Sequence, residues 1–153
     1  MNHHRRTFLK LGGAAFGAVA TAALWPLRAI AAAVRPNAAF EATALDGAYK
    51  QLGGTPAESA DIDLSTPDIA ENGAVVPVSV TSKLPGTEAI YILIEKNPNP
   101  LAAGFMIPEG TEPFVSVRVK VAQTCNVIAV VKAGGKLYSA AKETKVTLGG
   151  CGG

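Results

Sequence analysis

The chain has 153 residues, 14 of them basic and 12 acidic, and its two histidines, His3 and His4, both sit at the amino-terminal end. Everything after them lacks the imidazole that Ser-His-Asp catalysis, Cys-His catalysis and histidine-containing zinc sites require, and no Walker loop occurs, so intrinsic catalysis is not expected. The net charge of +2 misleads: four bases, Arg5, Arg6, Lys10 and Arg28, belong to a leader, and without them 10 basic residues face 12 acidic ones, a charge of −2 that gives no support for nucleic-acid or anionic-membrane binding.

The leader reads from His4-Arg5-Arg6-Thr7-Phe8-Leu9-Lys10, paired arginines followed by a large apolar residue and a lysine, and runs into an uncharged stretch from Leu11 to Leu27. This is the pattern of a twin-arginine export signal. The stretch is rich in Ala and Gly and only weakly hydrophobic, which suits that route better than a permanent anchor, although its length also fits a short transmembrane helix. Ala29-Ile30-Ala31 and Ala31-Ala32-Ala33 offer A-x-A cleavage sites, so the mature chain is expected to begin near Ala32 or Val34. The expected organisation is a signal over 1–33, one folded domain over 34–148 and an arm over 149–153. The 120 residues from Val34 onward suffice for a single core.

In the mature part, Asn37 can cap a helix from about Ala38 to Leu52, with Phe40, Ala44, Leu45, Ala48, Tyr49 and Leu52 on one face and Gly53-Gly54 ending it. Phe40 and Tyr49 read as core packing. From Asp61 the pattern becomes short β-branched runs broken by Gly, Pro and Asn, as in an all-β sandwich. Strands are predicted over Ile62–Leu64, Ala74–Thr81, Ala89–Glu95, Ala103–Ile107, Phe114–Val121, Val127–Lys132, Lys136–Ala141 and Lys145–Leu148. Gly134-Gly135 predicts a tight hairpin with positive φ at both positions. Val115, Val117, Val119 and Val121 alternate with Ser116, Arg118 and Lys120, the mark of one buried and one wet face; Arg118 and Lys120 read as solvated. Val127-Ile128-Ala129-Val130-Val131 is apolar throughout, as in a strand covered on both sides, the second cover being a candidate place for a partner protein. Pro77 implies an edge strand or a bulge, and an exposed edge invites another β-domain.

The last five residues, Gly149-Gly150-Cys151-Gly152-Gly153, place one thiol between two glycine pairs. Glycine loses more backbone freedom on ordering than any other residue, so this run predicts a flexible arm with a sterically open sulfur, thin enough to enter a narrow cleft. A free thiol titrates at about 8.5, and nothing in the tail lowers that value, so activation falls to a partner's active site. Cys125, in Gln123-Thr124-Cys125-Asn126, is expected in a turn before a strand as a half-buried, unreactive thiol; the alternative is a disulfide with Cys151 that would pin the arm.

The Arg5-Arg6 signal, the stretch Pro67-Asp68-Ile69-Ala70-Glu71-Asn72-Gly73-Ala74-Val75-Val76-Pro77-Val78, the segment Glu95-Lys96-Asn97-Pro98-Asn99-Pro100 and the ending Val146-Thr147-Leu148-Gly149-Gly150-Cys151-Gly152-Gly153 occur in one order over essentially the whole chain. Together they resemble the SoxY family of thiosulfate-oxidation carriers; Cys125 is a departure, since that function needs only the terminal cysteine. The resemblance implies an immunoglobulin-like β-sandwich preceded by a short helix, a heterodimer with a SoxZ-like β-sandwich subunit, and a periplasmic location. It further implies that Cys151 receives thiosulfate oxidatively from a c-type cytochrome, SoxAX, that the hydrolase SoxB releases sulfate to leave a persulfide, and that a sulfane dehydrogenase, where present, oxidises the rest. The chain itself would hold no cofactor and catalyse no step. Two other readings stay open: a carrier that forms a thiocarboxylate at Gly153, and a structural β-domain cross-linked through Cys151.

Overall fold

The computed structural model describes residues 35–147. The expected signal over 1–33, together with Leu148 and the arm residues Gly149, Gly150, Cys151, Gly152 and Gly153, lies outside them. Two short helices, α1 (Asn37–Glu41) and α2 (Leu45–Leu52), precede nine strands: β1 (Ala57–Glu58), β2 (Ile62–Ser65), β3 (Ile69–Ala70), β4 (Val76–Ser82), β5 (Thr87–Ile94), β6 (Leu101–Met106), β7 (Phe114–Val119), β8 (Cys125–Ala133) and β9 (Lys136–Val146).

The strands form two facing sheets. One has the order β2-β4-β7, and the other β1-β9-β8-β5-β6, with β3 also pairing to β9. Strands β1 to β5 alternate between the sheets and the chain crosses again after β6 and β7, the sheet-switching connectivity of an immunoglobulin-like sandwich. Alternation builds the core. Val76, Val78 and Val80 of β4 meet Ile90, Ile92 and Ile94 of β5 and Val127, Ala129 and Val131 of β8 between the sheets. Gly134 and Gly135 make the predicted hairpin at φ 55° and 72°.

The second face of β5 and β8 is equally apolar. Ala89, Tyr91, Leu93, Ile128 and Val130 pack with Ala39, Ala48 and Leu52 of the helices in a separate cluster. The continuous apolar run in β8 is therefore covered by the chain's own helices, not by a partner protein. One close approach depends on a missing side chain: a Cβ on Gly104 would stand 3.0 Å from Tyr91 Cδ1 and 3.6 Å from Phe40 Cζ.

Several expectations are corrected. The single helix over Ala38–Leu52 is two, because Ala42 (ψ 137°) and Ala44 (ψ 152°) are extended. The break lets Ala39 and Ala48 both reach full burial on one sheet face, while the carbonyls of Glu41 and Ala42 accept from Asn99 Nδ2 at 3.3 Å each. Asn37 is helical, with Pro36 at the cap position and no side-chain cap. Pro77 lies not on an edge strand but on β4, the centre of its sheet; β2 pairs only with Ser79–Ser82, so Pro77 sits beyond its end, where no second ladder asks for an N–H. Finally, the two strands expected over Lys136–Ala141 and Lys145–Leu148 are one. Lys142, Glu143 and Thr144 read as a polar break, yet they pair with Val127, Asn126 and Cys125 without interruption.

Candidate functional site

The described residues end just past β9, at the root of the predicted arm. Three loops meet there. Asn97 in the β5–β6 loop donates from Nδ2 to the Lys120 carbonyl (2.8 Å) and accepts at Oδ1 from Ala122 N–H (3.0 Å). Val121 N–H donates to the Gly73 carbonyl at 2.7 Å, binding the β7–β8 loop to the β3–β4 loop. Asn72 Oδ1 closes the latter on Ala74 N–H at 2.9 Å, a side-chain-closed turn. The stretches 67–78 and 95–100, distant in sequence, thus converge on the end of the sandwich where β9 finishes.

The last residues of β9 are held along both edges. On one side β3 runs parallel, pairing Ile69 with Lys145 and Ala70 with Val146; Lys145 N–H donates to the Asp68 carbonyl (2.9 Å) and Thr147 N–H to the Ala70 carbonyl (3.1 Å). On the other side Val146 N–H donates to the Thr124 hydroxyl at 3.0 Å. Beneath, Thr144 and Thr66 share a buried hydroxyl–hydroxyl bond of 2.9 Å. Lys142 Nζ donates to the Thr66 carbonyl at 2.8 Å and pairs with Asp68 at 2.9 Å. The Lys142–Asp68 hydrogen bond, and then the charge of Lys142, hold the Asp68 carboxyl below the ordinary aspartate value of 3.8. Ile69 and Val75, 59% and 53% exposed, give this end an apolar surface.

Cys125 is not in a turn. It opens β8 opposite Thr144, only 3% exposed, with its side chain in the inter-sheet core. Bonding to any sulfur outside would require the first rung of β8 to open. Cys151 and the four arm glycines lie beyond the described residues, so the structure supplies their root and not their geometry. Among the described residues no group of three His, Cys, Asp or Glu side chains could hold a metal ion, and no helix is long and apolar enough to cross a membrane. Sequence reasoning missed Thr124, Asp68 and Lys142 as builders of the root. Each is an unremarkable polar residue alone, and β3, at two residues, is too short for any periodicity to reveal.

Fold and root together define an immunoglobulin-like β-sandwich whose last strand finishes among the loops that carry the 67–78 and 95–100 segments. Residues 49–151 match the family Sulfur oxidation protein SoxY. The sulfur carrier protein SoxY from Chlorobium limicola f thiosulfatophilum is similar in structure, with 44% identity and a TM-score of 0.63 over 71% of this chain and 96% of that one. The chain belongs to the SoxY family. A superoxide reductase (neelaredoxin) from Ignicoccus hospitalis is a far more distant likeness, at 22% identity and a TM-score of 0.48 over 56% of this chain and 78% of that one. No curated protein sequence matches.

Proposed function

We propose that this protein carries sulfur covalently on Cys151 during thiosulfate oxidation and presents it to partner enzymes. The observation that carries the reading is the extent of the family match, which continues through the glycine-flanked tail and ends on Cys151 itself. The convergence of the 67–78 and 95–100 segments on the arm's root supports it, since a carrier needs a rigid platform beneath a thin tether.

The chemistry balances with one thiol. A Cys151 thiolate and thiosulfate lose two electrons to form Cys-S-S-SO3⁻, and two equivalents of ferric haem in c-type cytochromes, the SoxAX class, take one electron each. Water then attacks the terminal sulfonate in a SoxB-class hydrolase, releasing sulfate and two protons and leaving the persulfide Cys-S-S⁻. A sulfane dehydrogenase would oxidise that sulfur further. The carrier's part is to place the sulfur in each site in turn, and the tether raises its local concentration without tight docking. The twin-arginine leader places the work in the periplasm, and because that route moves folded proteins, a SoxZ-like subunit without a leader would be exported already bound.

Intact-mass spectrometry of protein isolated from thiosulfate-fed cells, before and after reduction, tests this. Reductant-labile added sulfur that fragmentation maps to Cys151, absent from Cys151→Ser, is the expected result. An unmodified Cys151, or one found only in a stable disulfide, would refute it in favour of a structural cross-link.

A further inference from the structure

Among the described residues, Asn97 and Asn99 precede prolines, Asn126 precedes a β-branched valine inside β8, Asn37 lies in α1, and Asn72 alone precedes a glycine. An asparagine loses its amide when the next backbone nitrogen attacks Cγ, so the following residue decides the outcome. Proline has no N–H to give up. A β-branched side chain crowds the ring that forms, whereas glycine has no Cβ to hinder it. The turn around Asn72 adds to this. Asn72 Oδ1 accepts from Ala74 N–H at 2.9 Å, and closing that ring folds Cγ back over the peptide nitrogen of Gly73, the approach an attack needs. The same donor is aimed at the oxygen on which negative charge develops, as in an oxyanion hole. Gly73 is buried and its carbonyl accepts from Val121 N–H at 2.7 Å, so the nucleophile is held in place. Asn72 is exposed, which gives ammonia a way out and water a way in.

We propose that Asn72-Gly73 is a site of spontaneous deamidation and that the folded turn promotes the reaction. Hydroxide takes the Gly73 amide proton and the nitrogen bonds to Cγ. The Cγ–Nδ2 bond then breaks, and the leaving nitrogen takes a proton from water to depart as ammonia, returning the hydroxide. The succinimide left behind takes up one water. Opening at Cγ gives aspartate, and opening at the main-chain carbonyl of residue 72 gives isoaspartate, in which the backbone runs through Cβ and Cγ. No electrons change hands. Either product puts a negative charge at position 72. Isoaspartate also adds an atom to the main chain beside the Gly73–Val121 bond, which ties the β3–β4 loop to the β7–β8 loop.

The test holds the purified folded protein in mildly alkaline buffer and follows the peptide carrying residues 72 and 73 by mass spectrometry, with fragmentation to separate aspartate from isoaspartate. Asn72 should lose its amide to give both products, while Asn97 and Asn99 keep theirs. The loss should be at least as fast as in the same chain unfolded in guanidinium chloride at the same pH. Ala74→Pro, which removes the donor to Oδ1, should slow it about tenfold, the low end for a hydrogen bond to a charged group. Where Ala74→Pro does not fold, the comparison with the unfolded chain decides the same point. A native Asn72 that outlasts the unfolded one, an unaltered rate in folded Ala74→Pro, or aspartate without isoaspartate would each overturn the proposal.

Discussion

Valine at Thr144 and at Thr66, singly and together, tests how the root of the arm is built. The two side chains are 0% and 5% exposed, and their Oγ1 atoms are 2.9 Å apart. Valine has nearly the shape of threonine without its hydroxyl, so either single change leaves the other hydroxyl buried and unpaired, at a cost of about 1–3 kcal/mol. Changing both removes the orphan and should bring the protein back to within ~1 kcal/mol of wild type, not to the 2–6 kcal/mol that simple addition gives (roughly, from the same range). A domain of roughly 110 residues unfolds with an entropy near 0.23 kcal/mol/K, so each single variant should lose about 4–13 °C in Tm and the double less than ~4 °C. Urea titration at constant m, with calorimetry beside it, measures all four corners of the cycle. Additive losses would refute the argument that the two hydroxyls are there for each other.

Gly104→Ala should lower the urea midpoint, because overpacking against the buried Tyr91 ring costs about 1–3 kcal/mol, partly offset by the ~0.5–1 kcal/mol that a strand gains when glycine is replaced; a variant at least as stable as wild type would contradict the close packing. Under native conditions a maleimide should label Cys125 on the order of 100-fold more slowly than a free thiol, since labelling must wait for β8 to open, and Cys125→Ala should leave sulfur loading intact; fast labelling at this site would mean the thiol is not held in the core. The depressed pKa of Asp68 sets a pH dependence. The Lys142 pair stabilises above the unfolded-state aspartate value and is lost as pH falls through the lower folded one. The stability difference between wild type and Lys142→Met, followed by urea titration from pH 7 downward, should therefore hold near neutrality and shrink in acid below about 4; a difference that grew on acidification would reverse the sign of the argument.

Period-two alternation at Val115–Val121, the Gly134-Gly135 hairpin and the glycine-flanked Cys151 are local signals, each carried by a few adjacent residues, and the sequence alone was enough to read an all-β sandwich with a C-terminal tail from them. It also showed that β8 needed covering on both faces, because every residue from Val127 to Val131 is apolar. What covers the second face is a question of distance along the chain: Ala39 and Ala48 lie some 80–90 residues from Val130 in sequence, and only folding brings them onto its back. The continuity of β9 was hidden for the same reason. Lys142 and Thr144 look like a break until Asp68 and Thr66, more than 70 residues earlier, satisfy their polar groups. The burial of Cys125 likewise follows from pairing opposite Thr144, which no local pattern encodes. Composition and local period determined the class of fold; long-range hydrogen bonds to β3 and to the loop before β8 decided how the last residues of β9 are held.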